Sequence, residues 1–164
     1  MEKVVTRQLL DELFTYENGK FFWKKPPKRH PDLIGKEAGS PQPRNNKIYW
    51  AIQIDGKKHK RSRLVYFYVH GKFPEPCVDH INGDSTDDRP ENLREASFLQ
   101  NSWNIKKMSK RLDLPMGVRN TAAGNFAARI TYMGKQLHLG AYKTIEKAQQ
   151  VYMDKRRELY GEFA

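Results

Sequence analysis

The chain has 164 residues, 38% of them apolar and 12% aromatic, and 30 Lys and Arg against 19 Asp and Glu give a net charge of +11. This length allows one compact domain or two small ones, and the composition excludes a disordered chain. A single cysteine, Cys77, excludes a disulfide framework and a cysteine-rich zinc site, and the longest apolar run, 64–69, is too short to cross a membrane. We therefore expect a cytoplasmic protein whose partner is a polyanion, with no membrane contact and no small-molecule substrate.

Local signals predict alternating helices and strands up to residue 71: a helix over 6–14, a hairpin over 16–23, a loop over 25–46, strands over 48–54 and 57–60, and a helix over 63–70. Thr6 is a suitable N-cap for the first helix. Asn18-Gly19 is the favoured two-residue hairpin turn, and Asp55-Gly56 serves the second strand pair. Gly71 is expected to end the second helix. These elements predict an α+β module.

A second set of predicted secondary-structure elements begins after residue 105. Three short antiparallel strands are predicted, beginning at Val118 and continuing over 126–132 and 135–142, and Thr144 can cap a final helix that ends near Tyr160. The residues of this helix expected to face inward are Ile145, Ala148, Val151, Tyr152 and Leu159. The sequence therefore predicts a second domain over 117–164, a three-stranded antiparallel sheet packed on one helix, joined by a linker over 108–116.

The charge is unevenly distributed along the chain. Segments 1–76 and 106–164 carry net charges of +8 and +7, whereas 77–105 carries −4. A basic surface attracts nucleic acid, and an acidic island opposes that attraction. Two explanations of the island stay open. A divalent cation could bridge it to phosphate, or its acids could simply solvate a loop, namely Asp84, Asp87, Asp88 and Glu91.

The acidic segment also contains residues suited to phosphodiester hydrolysis. Asp79 and His80 follow a short apolar stretch and precede a turn at Asn82-Gly83-Asp84, a second compact turn is predicted over 90–94, and Ser97 can cap a helix that carries Asn101. A strand, a loop and a helix can bring Asp79, His80 and Asn101 to one point. Histidine can deprotonate a water, and carboxylate and amide oxygens suit a hard cation.

Four sequence elements in this order resemble the HNH endonuclease family, in the form found in phage-borne and intron-borne homing nucleases: SRLVYFYVHGKFPEP, VDHINGD, RPENLREAS and QNSWN. The resemblance covers roughly 10–107, with the motif over about 62–107. It implies a ββα-metal (His-Me finger) nuclease core with a small N-terminal sheet over 1–107. It also implies a metal-dependent endonuclease that cuts double-stranded DNA to leave 5′-phosphate and 3′-hydroxyl ends, in the host bacterial cytoplasm if it is phage-encoded.

The resemblance implies a role for each matching residue. The general base falls on His80, and Asn92 is expected to brace the loop and orient that base. The metal ligands fall on Asp79 and Asn101, which would hold one Mg2+, with Mn2+ as an alternative. Asn104 is a weaker candidate ligand, one helical turn beyond Asn101.

Segment 117–164 resembles the APETALA-two (ethylene-response factor type) DNA-binding domain through its GVRN start, the strand FAARI, the turn HLGAYKT and the ending GEFA. The resemblance implies that strand side chains enter the major groove, which admits a sheet as well as a helix. The candidate DNA-binding residues are Arg119, Arg129, Tyr132 and Lys135.

The sequence leaves the oligomeric state and the biological role open. A monomer with one such site would nick one strand, whereas a homodimer would cut both. The competing interpretations are a non-cleaving DNA-binding regulator and a restriction or packaging nuclease on the same scaffold. The other histidines are expected to be ordinary surface or partly buried residues: His30, His59, His70 and His138.

Overall fold

The computed structural model describes residues 5–45, 47–104 and 114–164. The chain divides into two compact units, Met1–Asn101 and Ser102–Ala164. Most of the predicted linker over 108–116 lies outside the described residues. Within the described part of the chain, no helix combines the length and the apolar character needed to cross a membrane. The fold is mixed α/β with several small sheets.

The first unit begins with a helix followed by a hairpin, as predicted. Helix α1 (Arg7–Leu13) is capped by Thr6, whose hydroxyl oxygen accepts a hydrogen bond from the amide of Leu9 at 3.1 Å. Strands β1 (Phe14–Glu17) and β2 (Lys20–Trp23) pair antiparallel. The turn residues Asn18 and Gly19 both have positive φ, 41° and 84°, as the favoured hairpin turn requires.

A three-stranded antiparallel sheet follows, with one strand that the sequence did not predict. It consists of β3 (Ser40–Arg44), β4 (Lys47–Ile54) and β5 (Lys57–Lys60) in the order β3-β4-β5. The prediction of a loop over all of 25–46 is wrong at β3. Its two prolines, Pro41 and Pro43, are tolerated because β3 is an edge strand, where a missing amide donor costs no ladder bond.

Helix α2 (Arg61–His70) begins two residues earlier than predicted and ends, as predicted, at Gly71 with φ 74°. Arg61 and Ser62, in its first turn, are both buried. The apolar core of the unit joins α1, the β1-β2 hairpin, β4 and α2: Leu10, Phe14, Phe21, Trp23, Ala38, Ile52, Ile54, Leu64, Val65, Tyr66 and Leu93. Burial of each large apolar side chain contributes about 1.5–3 kcal/mol.

The segment that carries the candidate site folds as a hairpin followed by a helix. Strand β6 (Cys77–His80) pairs antiparallel with β7 (Leu93–Ala96), and α3 (Phe98–Trp103) comes next. The compact turn predicted over 90–94 is only partly correct, because a short 3-10 helix ends at Asn92 and the chain is extended from Leu93. Ser97 caps α3 as predicted, and its hydroxyl oxygen accepts from the amide of Gln100 at 3.1 Å.

The second unit has the predicted order of strands and helix. Strands β8 (Val118–Asn120), β9 (Phe126–Tyr132) and β10 (Lys135–Tyr142) form an antiparallel sheet in the order β10-β9-β8. Helix α4 (Ile145–Tyr160) is capped by Thr144. The fully buried face of α4 consists of Ala148, Tyr152, Arg156 and Tyr160, whereas the predicted Ile145, Val151 and Leu159 are half-buried.

Candidate functional site

Strand β6 ends on two of the residues predicted to form the site, Asp79 and His80. Both are buried, although successive side chains of a strand point to opposite faces. The strand end is therefore covered on both sides. In the antiparallel register, Asp79 lies opposite Arg94 and His80 lies opposite Leu93.

Asp79 is held by the cross-strand partner Arg94. Nε and Nη2 of Arg94 both donate to Oδ2 of Asp79, at 3.0 and 2.9 Å. This ion pair compensates a carboxylate that would be costly to bury alone. Sequence reasoning did not single out Arg94, because its position opposite Asp79 depends on β7, which was not predicted.

A network of charged side chains, most of them buried, holds His80. Its Nε2 lies 2.8 Å from Oδ1 of Asp88, and Oδ2 of Asp88 accepts from Nε of Arg61 at 2.7 Å. Arg61 also donates from Nη1 to Oε1 of Glu37 at 2.5 Å and from Nη2 to the carbonyl of Thr86 at 3.1 Å. Arg61 is 2% exposed and Asp88 is 3% exposed. Neither was proposed as a site residue from the sequence, and no local signal separates Asp88 from its acidic neighbours.

The acidic island is therefore not a set of equivalent solvated acids. Asp84 accepts bonds from the amide and hydroxyl of Thr86, which lower its pKa. Hydrogen bonds from the Arg89 guanidinium lower the pKa of Asp87 to about 2. Asp88, in contrast, is buried against His80, so the interpretation that these acids simply solvate a loop is wrong for Asp88.

Asn92 closes the loop that joins the two strands of the hairpin. Its Oδ1 accepts a hydrogen bond from the backbone N–H of Asn82 at 3.0 Å. Its Nδ2 donates to the side-chain Oδ1 of Asn82 at 3.1 Å and to the backbone carbonyl of Asp87 at 2.7 Å. Its own carbonyl accepts from the amide of Ile81 at 2.9 Å. The loop that begins directly after His80 is thus tied to the start of β7.

The second predicted metal ligand, Asn101, lies on α3. Its side chain is exposed, and its backbone N–H donates to the backbone carbonyl of Ser97 at 2.9 Å. Asn104 follows the end of the helix and is half-buried. Across the described ranges, no group of three or more His, Cys, Asp and Glu side chains is placed to hold a metal ion.

The predicted DNA-binding residues of the second unit fall on both faces of its sheet. Arg119 pairs with Ala127, which lies two residues before Arg129 on β9, so Arg119 and Arg129 share one face. His138 lies opposite Arg129 and therefore shares this face. All three charged or titratable side chains are exposed.

Tyr132 lies on the opposite face from Arg129. Its ring centroid is 5.7 Å from that of Trp103 and 5.9 Å from that of Tyr160. Lys135 pairs with Tyr132 at the start of β10 and is exposed. The structure therefore brings Arg119 and Arg129 together but separates them from Tyr132.

Comparison with known proteins gives matches that include these residues. A family model described as HNH endonuclease matches residues 59–102, which contain the predicted site from Asp79 to Asn101. An uncharacterized HNH endonuclease of Acanthamoeba polyphaga mimivirus is 32% identical over 117 residues, which are 70% of this chain and 60% of that protein. This chain therefore spans less than two thirds of the mimivirus protein.

A second relative is matched over most of its length. Protein 3.8 of Escherichia phage T7 is 30% identical over 110 residues, which are 66% of this chain and 90% of that protein. No solved structure matches the chain. The family match over residues 59–102 and these relatives together show that the chain belongs to the HNH endonuclease family.

Proposed function

We propose that this chain is a metal-dependent DNA endonuclease in which His80 is the general base. The observation that carries the proposal is the buried imidazole of His80, which Asp88 holds at 2.8 Å at the end of the strand that also carries Asp79. A histidine oriented by a carboxylate is suited to take a proton from a nucleophile. Membership of the HNH endonuclease family supports a phosphodiester as the bond that is cut.

The donor atoms that we assign to a divalent cation are of the kind that such an ion prefers. Asp79 supplies a buried carboxylate and Asn101 an exposed amide oxygen, which are hard ligands of the kind that Mg2+ prefers. Mg2+ takes few protein ligands and keeps several waters, so one carboxylate and one amide are sufficient. We assign Asp79 and Asn101 as its ligands, with Mn2+ as an alternative ion. When bound, the cation would supply positive charge to the phosphate oxygens and to the leaving 3′ oxygen.

Each of the other residues holds a part of this arrangement. His80 takes a proton from the attacking water, whose oxygen bonds to the phosphorus as the bond between the phosphorus and the 3′ oxygen breaks. The released 3′ oxygen takes up a proton from solvent, so the products carry a 5′-phosphate and a 3′-hydroxyl. Arg94 fixes the orientation of the Asp79 carboxylate through its two bonds to Oδ2. Asn92 positions His80 indirectly, because it ties the loop after His80 to the start of β7.

We assign sequence recognition to the second unit, as an APETALA-two-like reader of a homing-type nuclease. Arg119 and Arg129 lie exposed on one sheet face, and segment 106–164 carries a net charge of +7. A sheet that presents arginines in this way can enter the major groove. Lys135 is a further contact candidate at the sheet end, whereas Tyr132 is assigned to packing against Trp103 and Tyr160.

The test is cleavage of supercoiled plasmids that carry phage or host DNA, with Mg2+, Mn2+ or EDTA. The wild type should convert them to nicked circles as a monomer, or to linear DNA as a homodimer, and EDTA should abolish the reaction. His80→Ala should bind DNA without cutting it. The matched control is His30→Ala, which removes an exposed histidine of the same unit and should cut at the wild-type rate.

Two outcomes would contradict the proposal. If His80→Ala cut at the wild-type rate, His80 would not be the general base. If the wild type bound DNA in a salt-sensitive way but cut none of the plasmids with any metal, the chain would be a non-cleaving regulator that retains the nuclease scaffold.

A further inference from the structure

We propose that Asp88 and Arg61 select the tautomer of His80, so that Nδ1 of the imidazole accepts the proton. Asp88 is thus a positioning residue that acts through His80, and Arg61 acts through Asp88. The inference rests on the proposed role of His80 as general base and adds the nitrogen atom and the two residues that determine it.

The two oxygens of Asp88 have different partners. Oδ2 accepts from Nε of Arg61 at 2.7 Å, and Oδ1 lies 2.8 Å from Nε2 of His80. A carboxylate paired with a guanidinium acts only as an acceptor, so Nε2 of His80 must be the donor. A neutral imidazole with its proton on Nε2 has its basic lone pair on Nδ1. The contact therefore assigns the Nε2–H tautomer.

Arg61 is fixed firmly enough to impose this orientation. Beyond Asp88, it donates to Glu37 and to the carbonyl of Thr86, and its guanidinium carbon lies 4.9 Å from the centroid of the Trp50 ring. Because Arg61 and Asp88 are almost fully buried, water cannot replace a contact that either one loses. The carboxylate of Asp88 thus has one orientation available.

Replacing Asp88 by asparagine should reverse the tautomer without removing a side chain. Arg61 can only donate, so the amide of the variant must turn its oxygen toward Nε of Arg61. The NH2 group then faces Nε2 of His80, which must accept, and the imidazole proton moves to Nδ1. In a histidine base held by a carboxylate, a reversal of this kind lowers kcat by about 10⁴-fold.

The kinetic experiment compares Asp88→Asn with Glu91→Gln, a matched control in the same segment whose side chain is 65% exposed. Single-turnover cleavage by Asp88→Asn should be slower by about 10³- to 10⁴-fold, with DNA affinity unchanged within about twofold. Glu91→Gln should cut at the wild-type rate. Cleavage by Asp88→Asn within about tenfold of wild type would overturn the inference while leaving the function of His80 intact.

A second measurement is independent of cleavage. The 15N NMR signals of His80, assigned by comparison with His80→Ala and recorded at alkaline pH, report which ring nitrogen carries the proton. We expect Nε2–H in the wild type and Nδ1–H in Asp88→Asn. Nδ1–H in the wild type, or the same tautomer in both proteins, would overturn the inference even if Asp88→Asn lost activity.

A third variant covers the case in which Asp88→Asn does not fold. Arg61→Lys keeps a positive charge beside Asp88, so it should retain Nε2–H at His80, and loss of that tautomer would overturn the role of the carboxylate. An inactive wild type would refute the proposed function, whereas the NMR comparison would still decide whether Asp88 sets the tautomer.

Discussion

Replacement of Arg61 by methionine tests whether the buried charges hold the first unit together. Methionine keeps an unbranched apolar side chain but removes the bonds to Asp88, Glu37 and the carbonyl of Thr86. The carboxylate of Asp88, whose side chain is 2% exposed, then loses its charged partner. Removing one member of a buried ion pair costs about 3–5 kcal/mol, so Arg61→Met should lower the free energy of unfolding by that amount.

Urea unfolding followed by tryptophan fluorescence measures this loss. The chain has three tryptophans, and a Trp103→Phe background leaves Trp23 and Trp50, which both lie in the first unit. With a slope of about 2 kcal/mol per molar urea, the midpoint should fall by about 1.5–2.5 M. The control is Lys36→Met, because the pair of Lys36 with Asp32 is 62% and 66% exposed and should contribute less than about 0.5 kcal/mol.

A double mutant separates the ion pair from packing. Arg61→Met combined with Asp88→Leu removes both charges, so it should cost less than the sum of the single changes, with a coupling of at least about 1 kcal/mol. Additive single changes, or a loss for Arg61→Met no larger than for Lys36→Met, would show that the pair does not stabilise the fold as argued.

Three further predictions follow from other contacts. Gly19→Ala should lower stability by about 2 kcal/mol in urea unfolding and slow plasmid cleavage, because a Cβ at φ 84° would lie 2.5 Å from the carbonyl oxygen of Asp88. Asp87→Asn should flatten the pH dependence of Tm. The wild type keeps the stability from Asp87 above about pH 4 and loses it as pH falls toward 2, because Arg89 lowers the native pKa of Asp87. Arg129→Ala should weaken DNA binding and reduce the salt slope of binding by about 1.

Each of these has a matched control. Gly56→Ala places alanine at a similar φ of 83° with no described atom within 4 Å of the new Cβ. An equal loss of stability in both glycine variants would show that the contact with Asp88 is not the cause. Glu91→Gln should keep the acid dependence of Tm, and an unchanged acid dependence in Asp87→Asn would contradict the Arg89 contact. Lys143→Ala removes an exposed charge outside the strands, and a loss of affinity equal to that of Arg129→Ala would argue against the sheet face.

The elements predicted correctly are those whose signals lie within a few residues. Thr6, Ser97 and Thr144 each accept the capping bond expected of them, because a capping hydroxyl and its amide are three residues apart. Asn18-Gly19 forms its turn for the same local reason.

The two strands that were missed, β3 and β7, form because of distant partners. Pro41 and Pro43 give β3 the composition of a loop, and only its place at the edge of β4 makes it a strand. Leu93 and Arg94 follow a 3-10 helix and extend because β6 pairs with them. The contact between Arg94 and Asp79 could not be predicted from the sequence for the same reason.

The division of roles among the acids also depends on tertiary contacts. Asp87 and Asp88 are adjacent and chemically identical, yet one bonds to Arg89 at the surface and the other is buried against His80. Arg61 is 27 residues away from Asp88 along the chain, so no local pattern could have connected them.

The residues within the segment that matches the family, 59–102, are therefore not sufficient to define the site. The loop after His80 is supported by parts of the first unit outside the matched segment 59–102. The turn at Gly19 lies against the backbone of Asp88, and the carbonyl of Ile48 accepts from the hydroxyl of Ser85 at 2.7 Å. Because these contacts hold the loop that presents Asp88, the N-terminal hairpin and β4 help to position Asp88 against His80.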